Sequence, residues 1–256
     1  MSKILFFDID GTLLNSKKEI PSKTKEAIQL ARQNGHTIAI ATGRAPFMFK
    51  EILQELAIDT YVSLNGQVVV YNNKIVDHHP IDKNSLKKLV DTATKNNHSM
   101  VFLDENQMVS NKLDDFKIEK SLGSLKFPYP SLREDFYLTN NVYQALIFAG
   151  SQEEAMYRKK FEEFHFLRWH EHSFDVVPTD ASKARGILKL ADLIGFKMED
   201  VFAFGDGLND VAMLRAASVG VAMGNGVQEA KDAADYVTNH VDEDGIYHAL
   251  KHFQLI

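Results

Sequence analysis

Two aspartates stand two residues apart in Phe6-Phe7-Asp8-Ile9-Asp10-Gly11-Thr12, where a short apolar run ends. Carboxylates leaving a buried strand together can divide the work on one ligand. One attacks an electrophile such as phosphorus while its neighbour moves protons. Gly11 permits a tight turn that brings a backbone amide close to an anion. Asp-Gly is also a common turn pair, but ionisable groups after a buried strand need a reason to be there. A second acidic cluster, Gly205-Asp206-Gly207-Leu208-Asn209-Asp210, leaves the Asp206 carboxylate open between glycines, which suits an oxygen-seeking cation such as Mg²⁺. Asp210 can serve the metal shell, cap a helix, or do both, and Asn209 can hydrogen-bond a phosphate or an ordered water. Thr42-Gly43-Arg44 offers a hydroxyl, a flexible amide and a cation, all phosphate donors, although an ordinary strand-to-helix turn reads the same way. Lys183 alone would be a solvated side chain. Beside several carboxylates and a phosphoryl group it becomes a fixed counter-charge.

The elements around these residues set their positions. Apolar runs at Lys3–Phe7, His36–Ala41, Tyr61–Leu64, Val201–Phe204 and Val219–Ala222 read as buried strands. Helical patterns run from Pro21-Ser22 to Asn34-Gly35, from Pro46 to Leu56, from Lys183 to Ile194 and from Asp210 to Ala216. Strands alternating with helices indicate a parallel sheet with right-handed crossovers, and such sheets bind ligands beyond the carboxyl ends of their strands. Asp8 and Asp10, Thr42, and Asp206 with Asp210 all fall at that edge.

The alternation breaks after Asn65-Gly66. Gln67–Tyr71 and Lys74–His79 flank Asn72-Asn73 as a β-hairpin. Helices are expected near Ser85–Lys95 and Gln152–Phe164, and strands at Met100–Leu103, Met108–Ser110, Tyr143–Phe148 and Phe166–His170. Lys126–Pro130 reads as a loop. The expected organisation is an α/β core from residues 1–81 and 175–256 with an α+β domain, 82–174, inserted into it. Phe127, Tyr129, Phe136, Tyr137 and Tyr143 are expected in the core of the inserted domain. Trp169-His170-Glu171-His172 has His-x-His spacing, but no third zinc ligand accompanies it.

Composition limits the function classes. The 256 residues are 45% hydrophobic and 25% charged, the mixture of a globular protein. A net charge of −6 argues against nucleic acid as a partner but permits a small phosphate, because local cations and a metal can reverse the field in one cleft. No apolar run reaches membrane-spanning length, and the N-terminus lacks the apolar segment of a secretory signal. Cysteine is absent, which removes disulfides, thiolate zinc and a cysteine nucleophile. A cytoplasmic location and a monomer are the expectations.

DxDGT at Asp8–Thr12, the Thr42-Gly43-Arg44 turn, Lys183 and GDGxND at Gly205–Asp210, in that order, resemble the haloacid dehalogenase superfamily of phosphohydrolases. The long insertion resembles its Cof-type branch, subfamily IIB, and the architectural match spans nearly the whole chain. The resemblance implies a Rossmann-like core with an α/β cap and a Mg²⁺-dependent phosphatase acting on a small phosphorylated metabolite, a sugar phosphate or a nucleotide-like cofactor. It implies Asp8 as nucleophile and metal ligand, and Asp10 as general acid/base with its backbone carbonyl on the metal; a raised Asp10 pKa would help. Asp206 would be the acidic metal ligand and Asp210 a support of the metal shell. Thr42, Lys183, Asn209 and the Gly11 and Gly43 amides would hold the phosphate, with Arg44 on the substrate side. Relatives often carry Lys-Gly where this chain has Lys183-Ala184, which puts the start of that helix in question. A phosphomutase or phosphotransferase would use the same aspartyl-phosphate, and a non-catalytic phosphometabolite binder is the remaining alternative. Asp10 and the missing membrane spans disfavour an ATP-driven pump, and the metal-binding acids disfavour a dehalogenase.

Overall fold

The computed structural model describes residues 2–256 and divides into two units. One is the chain up to His78 together with Ser182–Ile256; the other is His79–Ala181.

The first unit contains β1 (Ile4–Phe7), α1 (Ser22–Gln33), β2 (Thr37–Ala41), α2 (Lys50–Glu55), β3 (Tyr61–Ser63), β4 (Val68–Tyr71) and β5 (Lys74–His78). The second contains α3 (Lys83–Lys95), β6 (Ser99–Leu103), β7 (Met108–Ser110), α4 (Phe116–Ser124), β8 (Ser131–Leu132), α5 (Phe136–Thr139), β9 (Gln144–Phe148), α6 (Ser151–Lys160), β10 (Phe164–His170) and β11 (Ser173–Pro178). The chain then returns to the first unit with α7 (Lys183–Leu193), β12 (Val201–Gly205), α8 (Val211–Ala216), β13 (Val219–Ala222), α9 (Gln228–Ala233), β14 (Tyr236–Val237) and α10 (Gly245–His252).

The first sheet has the order β14-β13-β12-β1-β2-β3-β4-β5. It is parallel from β14 to β3 and ends in the antiparallel pairs β3/β4 and β4/β5. Its central strands bury both faces, as parallel strands under crossover helices must. Leu5, Phe7, Ile38 and Ile40 pack with Ile28 of α1 and Leu250 of α10. Ile4, Phe6, Ala39 and Ala41 pack with Ile187 of α7 and Met213 of α8. The hairpin turn Asn72-Asn73 has φ of 50° and 60°, the left-handed pair that matches strand twist and that Asn tolerates.

In the second unit the sheet order is β10-β11-β9-β6-β7-β8, antiparallel except for β7/β8. Its core lies under α3 and α6, where Leu89, Phe102, Ile147, Tyr157, Phe166 and Phe174 meet.

Four sequence expectations need correction. The expected boundary at 174 falls inside β11, whose pairing with β9 and β10 carries the second unit to Ala181. The helix expected from Pro46 opens as a single tight turn, Pro46–Met48, and α2 starts only after Phe49. Helix α4 was not foreseen; Asp115 caps it by accepting from the Lys117 and Ile118 amides. Phe136 and Tyr143 are buried, whereas Phe127 and Tyr129 line a cavity of about 470 Å³ beside α4.

Candidate active site

Strands β1, β2, β12 and β13 release their chains at one edge of the first sheet. Asp8 follows β1 directly, and its amide donates to the Phe204 carbonyl at 2.9 Å. A glycine makes room for one of the carboxylates. At Gly11, φ is +80° and a Cβ would stand 2.2 Å from Asp206 Oδ2, so any side chain would occupy the acid's position.

Lys183 organises the centre. Its side chain is buried, and Nζ donates to Asp8 Oδ1 at 2.5 Å and to Asp210 Oδ1 at 2.6 Å. Ser182 caps α7 by accepting from the Arg185 amide at 3.1 Å, so the helix starts normally with alanine at position 184. Asp210 is buried and fully engaged: its Oδ2 accepts from the Asp206 and Gly207 amides at 2.9 and 2.8 Å. Asp206 accepts from Thr12 Oγ1 at 3.0 Å. Asn225, in the turn after β13, donates to the Gly11 carbonyl at 2.8 Å and accepts from the Val241 amide.

Among the described residues, Asp8, Asp206 and Asp210 offer oxygens that all lie within 4.8 Å of one another. One ammonium does not offset three carboxylates. Burial pushes Asp8 up to about 7, with Asp210 adding to the rise and Lys183 opposing it. Burial raises Asp206 as well. For Lys183, burial disfavours the charged form, but Asp8 and Asp210 outweigh it and raise its pKa. An all-oxygen donor set with surplus negative charge fits a hard divalent cation such as Mg²⁺.

Asp10 faces a different set of partners. Arg44 forks onto it, Nε to Oδ2 at 2.8 Å and Nη2 to Oδ1 at 2.7 Å, and Lys18 Nζ adds 2.9 Å to Oδ1. Burial would raise this carboxyl, but the hydrogen bonds and charge of Arg44 and Lys18 hold it below the ordinary value. The raised pKa that would help an acid is therefore absent from the resting site. Thr42 is buried, and its hydroxyl accepts from the Arg44 amide at 3.1 Å. Asn209 is exposed beside Gly207. Sequence reasoning missed Thr12, Lys18 and Asn225; the Gly224-Asn225-Gly226 turn at a strand's carboxyl end was the available signal for the last.

Residues 5–250 match the family model of haloacid dehalogenase-like hydrolases. The chain belongs to this family. The hydrolase is 42% identical over 255 residues to YkrA of Bacillus subtilis, named there as a candidate phosphatase, covering 100% of this chain and 99% of the relative. It is 28% identical over 255 residues to the 5-amino-6-(5-phospho-D-ribitylamino)uracil phosphatase YcsE of Bacillus subtilis, covering 99% of this chain and 96% of YcsE. The solved structure of the subclass IIB sugar phosphatase BT4131 superposes with a TM-score of 0.83 at 32% identity, covering 99% and 100% of the two chains. The hydrolase is thus an enzyme of the phosphatase class.

Proposed function

We propose that the enzyme hydrolyses phosphomonoesters of small metabolites through a covalent phosphoryl group on Asp8, with Mg²⁺ held by Asp8, Asp206 and the backbone of Asp10 and supported by Asp210. The observation that carries this reading is the Lys183 ammonium set between Asp8 and Asp210 beside the Asp206 carboxylate. Phosphoryl transfer depends on positioning and charge neutralisation more than on covalent assistance, and this group of side chains is built for both.

An Asp8 carboxylate oxygen attacks phosphorus. The bond from phosphorus to the ester oxygen breaks, its electron pair passes to the leaving oxygen, and Asp10 protonates that oxygen. Water then attacks the phosphorus of the aspartyl-phosphate and gives a proton to Asp10. The bond from phosphorus to Asp8 breaks, the carboxylate returns, and inorganic phosphate leaves. Bound Mg²⁺ supplies positive charge that offsets the repulsion between the nucleophile and an anionic phosphoryl group. Lys183 favours the ionised form of Asp8 and orients it. Thr42, Asn209 and the Gly43 amide hold phosphoryl oxygens; the Gly11 amide, expected to join them, donates to the Leu14 carbonyl at 3.1 Å instead. Arg44 links binding to proton transfer: anionic ester oxygens compete for the guanidinium that holds Asp10 deprotonated, and loosening that fork lets Asp10 carry a proton.

Two relatives are named for a sugar phosphate and for a phosphoribitylamino compound, which supports a small phosphorylated metabolite as the substrate. The inserted unit, His79–Ala181, supplies the selectivity. The test is phosphate release from a panel of phosphorylated metabolites, in Mg²⁺ and in excess chelator, with wild type beside Asp8→Asn. Release that requires Mg²⁺ and vanishes in the variant is expected. Undiminished release by Asp8→Asn would remove Asp8 as nucleophile.

A further inference from the structure

Helix α4 and the segment that follows it fold back on each other. Tyr129 anchors the return: its hydroxyl donates to the Lys112 carbonyl at 2.8 Å and accepts from the Asp115 amide at 3.0 Å. The Phe127 amide donates to the Leu122 carbonyl at 3.0 Å. The cavity of about 470 Å³ lies along this fold, within the size range of small-molecule sites. It belongs wholly to the second unit.

The wall of this cavity has a definite chemistry. Phe116, Glu119 and Gly123 follow one another at spacings of three and four, so they share one side of α4. Phe127 and Tyr129 line the cavity from the returning loop. Phe116 is 60% exposed, which leaves most of its surface open to a ligand. Asp114 and Glu119 complete the wall, and among the described residues neither side chain makes an ion pair or a hydrogen bond. No basic residue among those described lines it.

Three aromatic residues and two unpaired carboxylates select a cation. An aromatic face attracts positive charge within about 6 Å of its centroid. Phe116 already does so: Lys120 Nζ stands 5.6 Å from its ring centroid. Lys120 is not part of the wall, and this one ammonium leaves the two carboxylates in excess.

The form of the cation follows from the acceptors that the wall lacks. The Tyr129 hydroxyl is engaged with backbone groups on both sides. Asp114 and Glu119 are exposed, so they act through their charge while staying hydrated. The wall therefore offers no buried side-chain acceptor to an ammonium N–H, and a primary amine would give up water there without replacement. A quaternary ammonium donates no hydrogen bond and presents its charge to the rings through methyl groups.

We propose that Asp114, Phe116, Glu119, Phe127 and Tyr129 form a binding site for a quaternary ammonium compound. The site does not depend on the phosphatase reading above.

The full chain is titrated calorimetrically with choline and with its uncharged carbon analogue, 3,3-dimethylbutanol. Excess Mg²⁺ is present, to compete with choline for the acidic cluster of the first unit. Saturable choline binding, at least tenfold tighter than that of the alcohol, is expected. Phe116→Ala weakens it tenfold or more, and Phe116 is exposed enough for its loss to leave the fold intact. Gly123→Leu tests the location. A Cβ at Gly123 meets nothing within 4 Å, and leucine is a better helix former than glycine. This variant is expected to melt at or above the wild-type temperature while its side chain occupies the cavity and abolishes choline binding. No saturable heat with choline, equal affinity for choline and the alcohol, or unchanged choline affinity in Phe116→Ala or Gly123→Leu overturns the proposal.

Discussion

Lys183 shows how one side chain can hold a cluster of buried acids together at the cost of burying its own charge. The ammonium is fully buried, and its attraction to Asp8 and Asp210 has to exceed the cost of removing all three charges from water. Lys183→Met keeps the length of the side chain but leaves two buried carboxylates without their cation. Breaking a buried pair in this way costs about 3 kcal/mol or more. The variant is expected to unfold at lower urea concentration, to lose turnover, and to recover part of its stability as the pH falls and the orphaned acids take up protons. Wild-type stability in urea at neutral pH would show that Asp8 and Asp210 do not need the ammonium. The roles of Asp8 and Asp206 could be proposed from the sequence because each is an ionisable residue at the edge of a recognisable buried strand, whereas Lys183, at a helix start, gained its role only from the carboxylates it accompanies. Asn225 could not, since Asn between glycines is what any turn would carry.

The elements deliver these side chains through close backbone packing. After β3 the chain turns through Leu64, Asn65 and Gly66 with φ of 50°, 54° and 90°. The Leu64 and Asn65 amides donate to the Arg44 and Thr42 carbonyls, and Arg185 of α7 donates to the Gly66 carbonyl at 3.1 Å. A Cβ on Gly66 would come within 2.0 Å of the Ser182 carbonyl oxygen, so only glycine lets α7 begin where it does. Gly66→Ala is expected to push back the start of α7 and Lys183 with it, lowering kcat more than tenfold and the melting temperature by several degrees, the shift for roughly 1–2 kcal/mol. An unchanged kcat would show that the start of α7 is not set by this contact. The strand-helix alternation of the first unit was readable because long apolar runs and glycine turns mark it. The second unit was harder for a physical reason: Ser173 and Asp175 interrupt the apolar pattern of β11, so it did not read as a strand, and the boundary was drawn too early.

At the scale of the molecule, excess buried negative charge links stability to pH and to metal. Asp8 is pushed up to about 7 and Asp206 is raised, mainly by burial. A group raised in the folded state favours folding below its unfolded pKa, and that stability is lost as the pH rises through the folded value. In chelator the melting temperature is therefore expected to fall between about pH 4 and pH 7. A cation that binds only the folded, deprotonated site opposes this loss, adding about 2.7 kcal/mol at a hundredfold excess over its Kd. Mg²⁺ should raise the melting temperature more at pH 8 than at pH 5; equal shifts at both would mean that it binds elsewhere.

Asp175 gives the second unit a pH dependence of its own. Burial pushes this carboxyl up to about 7 against the hydrogen bonds from Trp169 and Gln144. Relative to an unfolded value of 3.8, the folded protein holds a proton that the unfolded chain releases across that interval, and stability falls by at most roughly 4 kcal/mol as the pH rises to 7. Asp175→Asn removes the titration while keeping an oxygen for the Trp169 N–H. Its new amide can donate to the unpaired Gln144 Oε1. The variant is expected to unfold with a flatter dependence on pH, and to be more stable than wild type at pH 8 and no more stable at pH 4. Urea unfolding at the two values, followed by Trp169 emission as the local probe, decides the matter. Parallel pH profiles for variant and wild type would mean that Asp175 is already ionised at neutral pH, and that the cluster around it carries a negative charge.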